Sequence, residues 1–308
     1  MNEVAKWFEK RLEEIAEFNP RESLKKGSIA KKISMDKLQP FCRDVPGFEL
    51  EPYSGGTKFR NGDTIMARIT PCLENGKTAK VSVLENGEVG FGSTEYIVFR
   101  AKDGCDPDFL YYLVTSPIVR GPAIKSMVGS SGRQRVQTDV LQTLMVKVPD
   151  LETQQSISGI LKSLDDKIAA NRKINDNLEQ QAQAIFRQEL LQNGELPPNW
   201  TTGSLLDIAD YLNGLAMQKF RPVDGERGLP VLKIKELRQG FCDYSSELCS
   251  PNIKPEFIVH DGDVIFSWSG SLLVDLWCGG TCGLNQHLFK VTSVKYPKWF
   301  YYRIPAFR

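Results

Sequence analysis

The chain has 308 residues and a mass of 34.7 kDa, which exceeds one ordinary domain of about 100–200 residues and predicts two. Hydrophobic residues make up 41% and aromatic residues 10% of the sequence, so the chain can bury a core and is not a disordered protein. Its 39 Lys and Arg against 38 Asp and Glu give a net charge of +1. This balance excludes a protein that binds DNA or membranes through bulk positive charge alone.

The cysteine pattern and the first residues predict a cellular compartment. The seven cysteines have no repeating spacing, and residues 1–15 lack the apolar segment of a signal peptide. These features predict free thiols in a reducing cytoplasm. No stretch approaches the roughly 18–20 consecutive apolar residues of a membrane span, so we expect no membrane contact.

Taken in chain order, the residues predict two mixed α/β modules joined by a long helix. For the first module, β-branched and alternating residues predict strands at 64–69, 78–83, 95–100 and 143–148 and short helices at 108–115 and 118–127. Gly90-Phe91-Gly92-Ser93 is interpreted as a tight turn, because no crossover helix or downstream acid completes a dinucleotide-binding fingerprint. For the second module, the predicted strands are 231–235, 263–267 and 287–292.

Three groups of residues recur in the same order in both modules, which is the mark of a duplication. The first-module groups are Trp7, Leu12, Ile15 and Ala16; Gly62-Asp63-x-Ile65; and Pro107-x-x-x-Tyr111-Tyr112. Their counterparts are Trp200, Leu205, Ile208 and Ala209; Gly262-Asp263-x-Ile265; and Pro297-x-x-x-Tyr301-Tyr302. Coincidence among common residue types is the alternative.

The segment between the modules has the pattern of a coiled-coil helix. Asp150 is a candidate N-cap at its start, and Gly194 followed by Pro197-Pro198 closes it. At about 1.5 Å per residue, some 40 helical residues would form a rod of roughly 60 Å. The apolar and amide residues follow a four-three spacing: Ile157, Leu161, Leu164, Ile168, Asn171, Asn175, Leu178, Ala182 and Ile185.

This seam predicts a partner helix, because so long a helix is not stable in water unless its apolar stripe is buried. Asn171 and Asn175 would then fix the register and the number of partners at a cost in stability. In the alternative interpretation, the two asparagines lie at an exposed bend of a helix that packs on its own domain. The interface residues predicted from the seam are Ile157, Leu161, Leu164, Ile168, Asn171, Asn175, Leu178 and Ile185.

The sequence predicts no catalytic residue, metal or cofactor. The two histidines, His260 and His287, stand outside any metal-ligand motif, and no phosphate-binding loop of the Walker type is found. The cysteines of the second module match no usual zinc spacing and are interpreted as buried free thiols.

Polar loops provide the candidate DNA-binding residues, since Arg, Lys, Gln and Ser side chains grip phosphates or read base edges. Solvated turns are the alternative for the loops at 53–58 and 129–135, and a core position is the alternative for Trp268. The candidates are Ser54, Lys58, Arg68, Lys77, Arg133, Gln134, Arg135, Trp268 and Ser269.

Several of these stretches resemble the specificity subunit of type I restriction-modification systems. The similar pieces are Trp7 with Leu12-Glu13-Glu14-Ile15-Ala16, the run from Phe59 to Lys77, Ser130-Ser131-Gly132-Arg133, the run from Pro149 to Gln155, and the run from Leu161 to Ile168 with Asn171. The resemblance implies two target-recognition domains that each read half of a bipartite double-stranded DNA site. It also implies central helices that dock adenine-methylating (M) subunits, with restriction (R) subunits joining in the full complex.

The expected organisation is a first target-recognition domain at 1–149, a central coiled-coil helix at 150–195 and a second target-recognition domain at 196–308. Relative to the first module, the second is expected to be truncated after Tyr301-Tyr302 and to lack the distal helix. The chain would be the non-catalytic part of a cytoplasmic complex for DNA methylation and restriction, able to self-associate through its helix. The alternative is a relic that binds M subunits or itself without productive DNA reading.

Overall fold

The computed structural model describes residues 6–130, 132–190, 203–270 and 272–303, and the chain divides into two compact units. Unit 1 comprises residues 1–189 and unit 2 comprises residues 190–308. The first unit therefore includes the long helix together with the first module. The finer domain boundaries at 149 and 195 stay predictions.

Unit 1 contains ten strands and five helices in its described residues. The strands are β1 Trp7–Arg11, β2 Ala16–Phe18, β3 Ile29–Ile33, β4 Glu49–Pro52, β5 Thr57–Phe59, β6 Thr64–Ala67, β7 Thr78–Lys80, β8 Gly90–Gly92, β9 Tyr96–Ala101 and β10 Met145–Pro149. The helices are α1 Leu12–Ile15, α2 Pro107–Thr115, α3 Pro117–Lys125, α4 Thr138–Gln142 and α5 Leu151–Leu190.

In the described part of unit 2 the helices are α6 Leu205–Ile208, α7 Ile234–Gln239 and α8 Lys298–Arg303, with 3₁₀ turns at Met217–Lys219 and Pro255–Phe257. The strands are β11 Asp210–Asn213, β12 Leu229–Leu232, β13 Leu248–Cys249, β14 Ile258–Val259, β15 Val264–Ser267, β16 Leu273–Leu276, β17 Cys282–Leu284 and β18 Leu288–Thr292.

The two four-stranded sheets of each unit have the same strand order, and unit 1 has in addition a two-stranded sheet of β1 and β10. Unit 1 has sheets of order β2-β9-β6-β7 and β4-β3-β8-β5, and unit 2 has sheets of order β11-β18-β15-β16 and β13-β12-β17-β14. In each second sheet one strand pair is parallel, β3 with β8 and β12 with β17, while its other pairs are antiparallel. The matching strand orders confirm the duplication that the sequence pattern predicts.

The repeated Gly-Asp motif has a structural role in both units. The Asp63 carboxylate accepts a hydrogen bond from the Arg60 backbone N–H at 2.8 Å, and Asp263 accepts one from the His260 N–H at 2.9 Å. Each aspartate is also paired with a cation on the neighbouring strand, Asp63 with Arg100 at 2.7 Å and Asp263 with Lys290 at 2.8 Å. The motif therefore fixes the turn before the central strand, and the buried charge is compensated.

The interpretation of Gly90-Phe91-Gly92 as a turn is wrong, because these residues form β8 at the centre of a sheet. Both glycines are required by close packing. A Cβ atom on Gly90 would lie 2.9 Å from the Phe59 ring, and one on Gly92 would lie 2.4 Å from the carbonyl oxygen of Ile33. Strand propensities miss this element because glycine is usually depleted in strands.

The long helix α5 runs for 40 residues. It begins where the sequence predicts, since the Asp150 carboxylate accepts a hydrogen bond from the Thr153 backbone N–H at 2.9 Å in the manner of an N-cap. The predicted fold class, mixed α/β modules with a long helix, is confirmed. No helix within the described ranges is both long and apolar enough to cross a bilayer.

Candidate DNA-recognition and docking surfaces

Three of the predicted DNA-binding residues come together at the end of β6. The residues that follow β6 lie beside the loop at 128–136. The Thr70 N–H donates to the Gln134 carbonyl at 3.0 Å, and the Val136 N–H donates to the Arg68 carbonyl at 2.8 Å. This pairing places Arg68, Gln134 and Arg135 in one patch. We call Arg68, Glu95, Arg133, Gln134 and Arg135 the basic patch.

Glu95 is the acidic member of the basic patch and was missed by the sequence analysis. Its carboxylate forms an ion pair with Arg135 at 2.7 Å, and its backbone carbonyl accepts from the Arg68 N–H at 2.9 Å. The hydrogen bond from Arg135 lowers the pKa of the Glu95 carboxyl. Arg135 is thus held in place, and an incoming phosphate would compete with Glu95 for its guanidinium.

The other two arginines of the patch have unused hydrogen-bonding capacity. The Arg68 Nε is buried and has no hydrogen-bond partner among the described residues, and its other contact is a long one of 3.4 Å from Nη2 to the Val136 carbonyl. Arg133 is exposed, and its side chain makes no hydrogen bond or ion pair with the residues that the structure describes. The exposed Arg133 guanidinium can therefore meet an anion without first giving up a contact to another described residue.

The remaining predicted residues of unit 1 lie outside the basic patch. Lys77 is half-buried, and its ammonium donates to the Met35 carbonyl at 2.9 Å. It therefore supports the loop that follows β3, and its contact with DNA stays a prediction. Ser54 lies in the loop between β4 and β5, and Lys58 lies within β5, in the other sheet. The Lys58 ammonium lies 5.9 Å from the centre of the Tyr53 ring.

Unit 2 places different residues at the positions of Arg68 and Glu95. Ala67 is opposite Tyr96 in unit 1, and Ser267 is opposite Leu288 in unit 2. In unit 1, Arg68 follows Ala67 and Glu95 precedes Tyr96. In unit 2, Trp268 follows Ser267 and His287 precedes Leu288, so these two residues take the positions of Arg68 and Glu95. The Trp268 side chain is 46% exposed, with its ring 6.0 Å from that of His287.

Ser269 follows Trp268 and is half-buried. Its backbone carbonyl accepts a long hydrogen bond of 3.5 Å from the Ser267 hydroxyl. Equivalent positions thus carry an ionic cluster in unit 1 and an aromatic and imidazole pair in unit 2. Two surfaces of such different chemistry would recognise different ligands.

The first turns of helix α5 are fixed to unit 1 by polar contacts. Gln154 is buried, with its amide nitrogen donating to the Pro149 carbonyl at 2.9 Å and its amide oxygen accepting from the Asp106 N–H at 2.9 Å. Further along, the Tyr112 hydroxyl donates to Asp165 at 2.7 Å and Arg43 pairs with Asp166 at 2.6 Å. The helix contacts the rest of unit 1 as far as Arg172, whose guanidinium donates to the Cys42 sulfur at 2.9 Å.

The predicted interface residues of α5 divide into two sets. Ile157 and Leu161 are half-buried, and Ile157 packs against the core of unit 1. Asn171 and Asn175 are exposed. The apolar residues that stay exposed, which we call the apolar stripe, are Ile160 at 64%, Leu164 at 54%, Ile168 at 48%, Ile174 at 54%, Leu178 at 57% and Ile185 at 60%.

Leu164, Ile168, Leu178 and Ile185 of this stripe are among the predicted interface residues, and Ile160 and Ile174 are not. Ile157 packs against the core of unit 1 and Leu161 is half-buried, so the exposed face is rotated toward Ile160 and Ile174. A stripe of exposed apolar side chains on a long helix can bury its surface against another helix.

Comparisons with known proteins identify the family that this chain resembles. Residues 5–180 match the family model described as the type I restriction modification DNA specificity domain. The chain belongs to this family.

Two relatives illustrate how much of the family architecture the chain spans. The chain is 32% identical over 159 residues to the type I restriction enzyme EcoAI specificity subunit of Escherichia coli, a match that covers 49% of this chain and 26% of that subunit. It is 26% identical over 214 residues to the MjaIX specificity subunit of Methanocaldococcus jannaschii, covering 63% and 48% respectively. The matches thus span half or less of these relatives.

A solved structure shows the same fold. The crystal structure of the S subunit of a type I restriction-modification system from M. genitalium superposes on this chain with a TM-score of 0.51 and 13% identity. The match covers 100% of this chain and 78% of that one.

Proposed function

We propose that the chain is a non-catalytic, cytoplasmic DNA-recognition subunit of a type I restriction-modification complex. Each unit would read one half of a bipartite double-stranded DNA site, and α5 would dock the M subunits, with R subunits joining for cleavage. One observation carries the proposal in a chain of this family. Equivalent sheet positions bear different polar residues in the two units, Arg68 and Glu95 in unit 1 and Trp268 and His287 in unit 2.

The basic patch supports DNA contact by unit 1. Arg133 is exposed and Arg135 is paired only at the surface, so both can reach a phosphate or the edge of a guanine. The near-zero net charge of the chain means that binding by bulk charge is weak, and partner subunits would supply further phosphate contacts.

The apolar stripe supports docking of M subunits and self-association. Six large apolar side chains are about half or more exposed along one helix, and water-exposed stripes of this kind are buried by a partner helix in stable assemblies. We expect the isolated chain to self-associate through this stripe, with a mass above that of the monomer in light scattering. Replacing Leu164 and Leu178 by Glu should restore the monomer and leave unit 1 folded.

A gel shift with the purified chain, M subunits and a library of duplexes tests the proposal. We expect a sequence-selective complex. If the Arg133 side chain reads a base, Arg133→Ala should weaken binding to the preferred sequence by about 1–3 kcal/mol. If it holds a phosphate, the variant should weaken binding to all sequences alike and reduce the slope of log affinity against log salt concentration by about 1. Lys26→Ala, at an exposed turn outside the patch, is the control. A complex with M subunits but without sequence selectivity would instead identify the relic.

A further inference from the structure

Arg135 of the basic patch has a backbone that is fixed on both sides. Its N–H donates to the Val128 carbonyl at 2.9 Å, and its carbonyl accepts from the Val128 N–H at 3.0 Å. On the other side it forms an isolated β-bridge with Ile69. Its chain neighbours, Gln134 and Val136, are hydrogen-bonded to the residues that follow β6. The direction in which the Arg135 side chain leaves the backbone is therefore set by the fold.

The Arg135 side chain is held by the Glu95 carboxylate. Its Nε donates to the two carboxylate oxygens at 3.0 and 2.9 Å, and its Nη2 donates to Oε1 at 2.7 Å. The Glu95 backbone is fixed in turn, because its N–H donates to the Ser93 hydroxyl at 3.1 Å and its carbonyl accepts from the Arg68 N–H at 2.9 Å. The plane of the guanidinium is therefore oriented before any ligand arrives.

The end of this guanidinium carries donors that Glu95 does not use. An arginine has five N–H groups, one on Nε and two on each Nη, and Nη1 makes no hydrogen bond with the residues that the structure describes. One N–H of Nη1 and one of Nη2 thus form a free fork at the end of an exposed side chain. Such a fork matches O6 and N7 of guanine in the major groove of DNA.

The carboxylate beside Arg135 favours a base over a phosphate as the ligand of this fork. The hydrogen bond from Arg135 lowers the pKa of the Glu95 carboxyl, so the pair has no net charge at neutral pH. A phosphate at the fork would meet the Glu95 carboxylate as a like charge, and a neutral pair would release few counterions. The edge of a guanine is uncharged, so it can accept both hydrogen bonds without this repulsion.

We propose that Arg135 reads a guanine in the half-site bound by unit 1 and that Glu95 is the residue that positions it. The inference rests on the proposed function, since it names the base that the basic patch would recognise. Glu95 acts through Arg135 and does not itself contact the base. In unit 2, His287 takes the position of Glu95, so this way of reading guanine would be confined to one half-site.

Selection from a library of duplexes by the chain with its M subunits tests the proposal, because it reports the base preference at every position of both half-sites. Arg135→Ala should reduce the preference for guanine at one position by roughly 5- to 150-fold. The preferences of the other half-site should stay unchanged, which also shows that the variant chain is folded and assembled.

Glu95→Ala separates positioning from contact. Without the carboxylate, Arg135 keeps its charge but loses its orientation, so the guanine preference should fall at the same position. Binding to all other duplexes should tighten, and the slope of log affinity against log salt concentration should steepen by about 1, because the freed cation can neutralise a phosphate. In the Arg135→Ala background, Glu95→Ala should have no further effect on the guanine preference.

Glu13→Ala is the matched control. Glu13 forms a surface ion pair with Arg11 at 3.3 Å, and its carbonyl accepts from Lys102, which follows the opposite end of β9 from Glu95. This variant removes the same charge from unit 1 and should leave the guanine preference as it is in the unmodified chain.

Three other results would overturn the proposal, and they differ from one another. If Arg135→Ala weakens binding to all duplexes alike, Arg135 holds a phosphate. If Glu95→Ala changes the guanine preference as much in the Arg135→Ala background as alone, Glu95 does not act through Arg135. If the unmodified chain selects no sequence at all, the proposed function itself fails and this inference falls with it.

Discussion

Units 1 and 2 have the same strand order but differ in how far the outer face of the first sheet is closed. Unit 1 buries Leu12, Met66 and Ile97 completely, while unit 2 leaves Leu205, Phe266 and Phe289 in partial contact with solvent. The strand order is thus the same in the described residues of both units, while the closure of this face differs. A shared sheet therefore does not imply equal stability, which depends on the apolar surface that the neighbouring segments remove from water.

The largest expected effect contrasts two identical substitutions. Leu12→Ala should cost about 2–5 kcal/mol in the free energy of unfolding of unit 1, because it leaves a cavity in a closed core. Leu205→Ala should cost about 1 kcal/mol or less in unit 2, since its side chain is 38% exposed. Urea denaturation followed by hydrogen exchange in each unit measures both values. Equal losses would contradict the difference in closure.

A smaller effect concerns the anchoring of α5 on unit 1. Tyr112→Phe removes the hydroxyl that donates to Asp165 at 2.7 Å and should cost about 0.5–1.5 kcal/mol. Exchange should accelerate at residues 158–166 and stay unchanged in unit 2. Tyr244→Phe, in which the lost hydroxyl is exposed, should change neither. Unchanged exchange in the helix with Tyr112→Phe would show that the contact does not hold α5.

The smallest effects distinguish the two units by pH. Burial raises the pKa of Glu22, but hydrogen bonds from Arg60 and Arg100 outweigh it, so the folded pKa is lowered. Its contribution to stability is present above the unfolded pKa of about 4.3 and is lost as the pH falls through the folded pKa. Glu22→Gln should therefore weaken unit 1 at neutral pH and flatten its loss of stability in acid.

Asp275 in unit 2 has the opposite sign. Burial raises its pKa, so the charged form is disfavoured in the folded state. Its cost is absent below the unfolded pKa and develops as the pH rises through the folded one. Asp275→Asn should thus stabilise unit 2 slightly at neutral pH and have little effect in acid. Thermal unfolding at several pH values checks both variants, and shifts of the same sign in both would contradict these assignments.

The sequence predicts well the elements whose signals are local. The strand at 78–83 is found at Thr78–Lys80, the helix at 118–127 at Pro117–Lys125, and α5 begins after the predicted cap at Asp150. It missed β8, because a Gly-Phe-Gly strand is set by close packing on Phe59 and Ile33 and not by propensity.

The candidate sites were predictable only in part, for a similar reason. Polar loop composition located Arg133, Gln134 and Arg135, but the pairing of Arg135 with Glu95 joins residues 40 positions apart and follows from the fold. Lys77 is a residue type that is common at DNA contacts, and only the fold shows that its ammonium donates to the Met35 carbonyl. The counterpart of Trp7, Trp200, lies outside the described residues.

We propose that this chain directs a methyltransferase to a DNA sequence. Methylome sequencing of cells that express the M subunits with and without the chain tests this role. We expect a methyladenine motif that appears only with the chain and is weakened by Arg133→Ala but not by Lys26→Ala. An identical methylome in the presence and absence of the chain would contradict it.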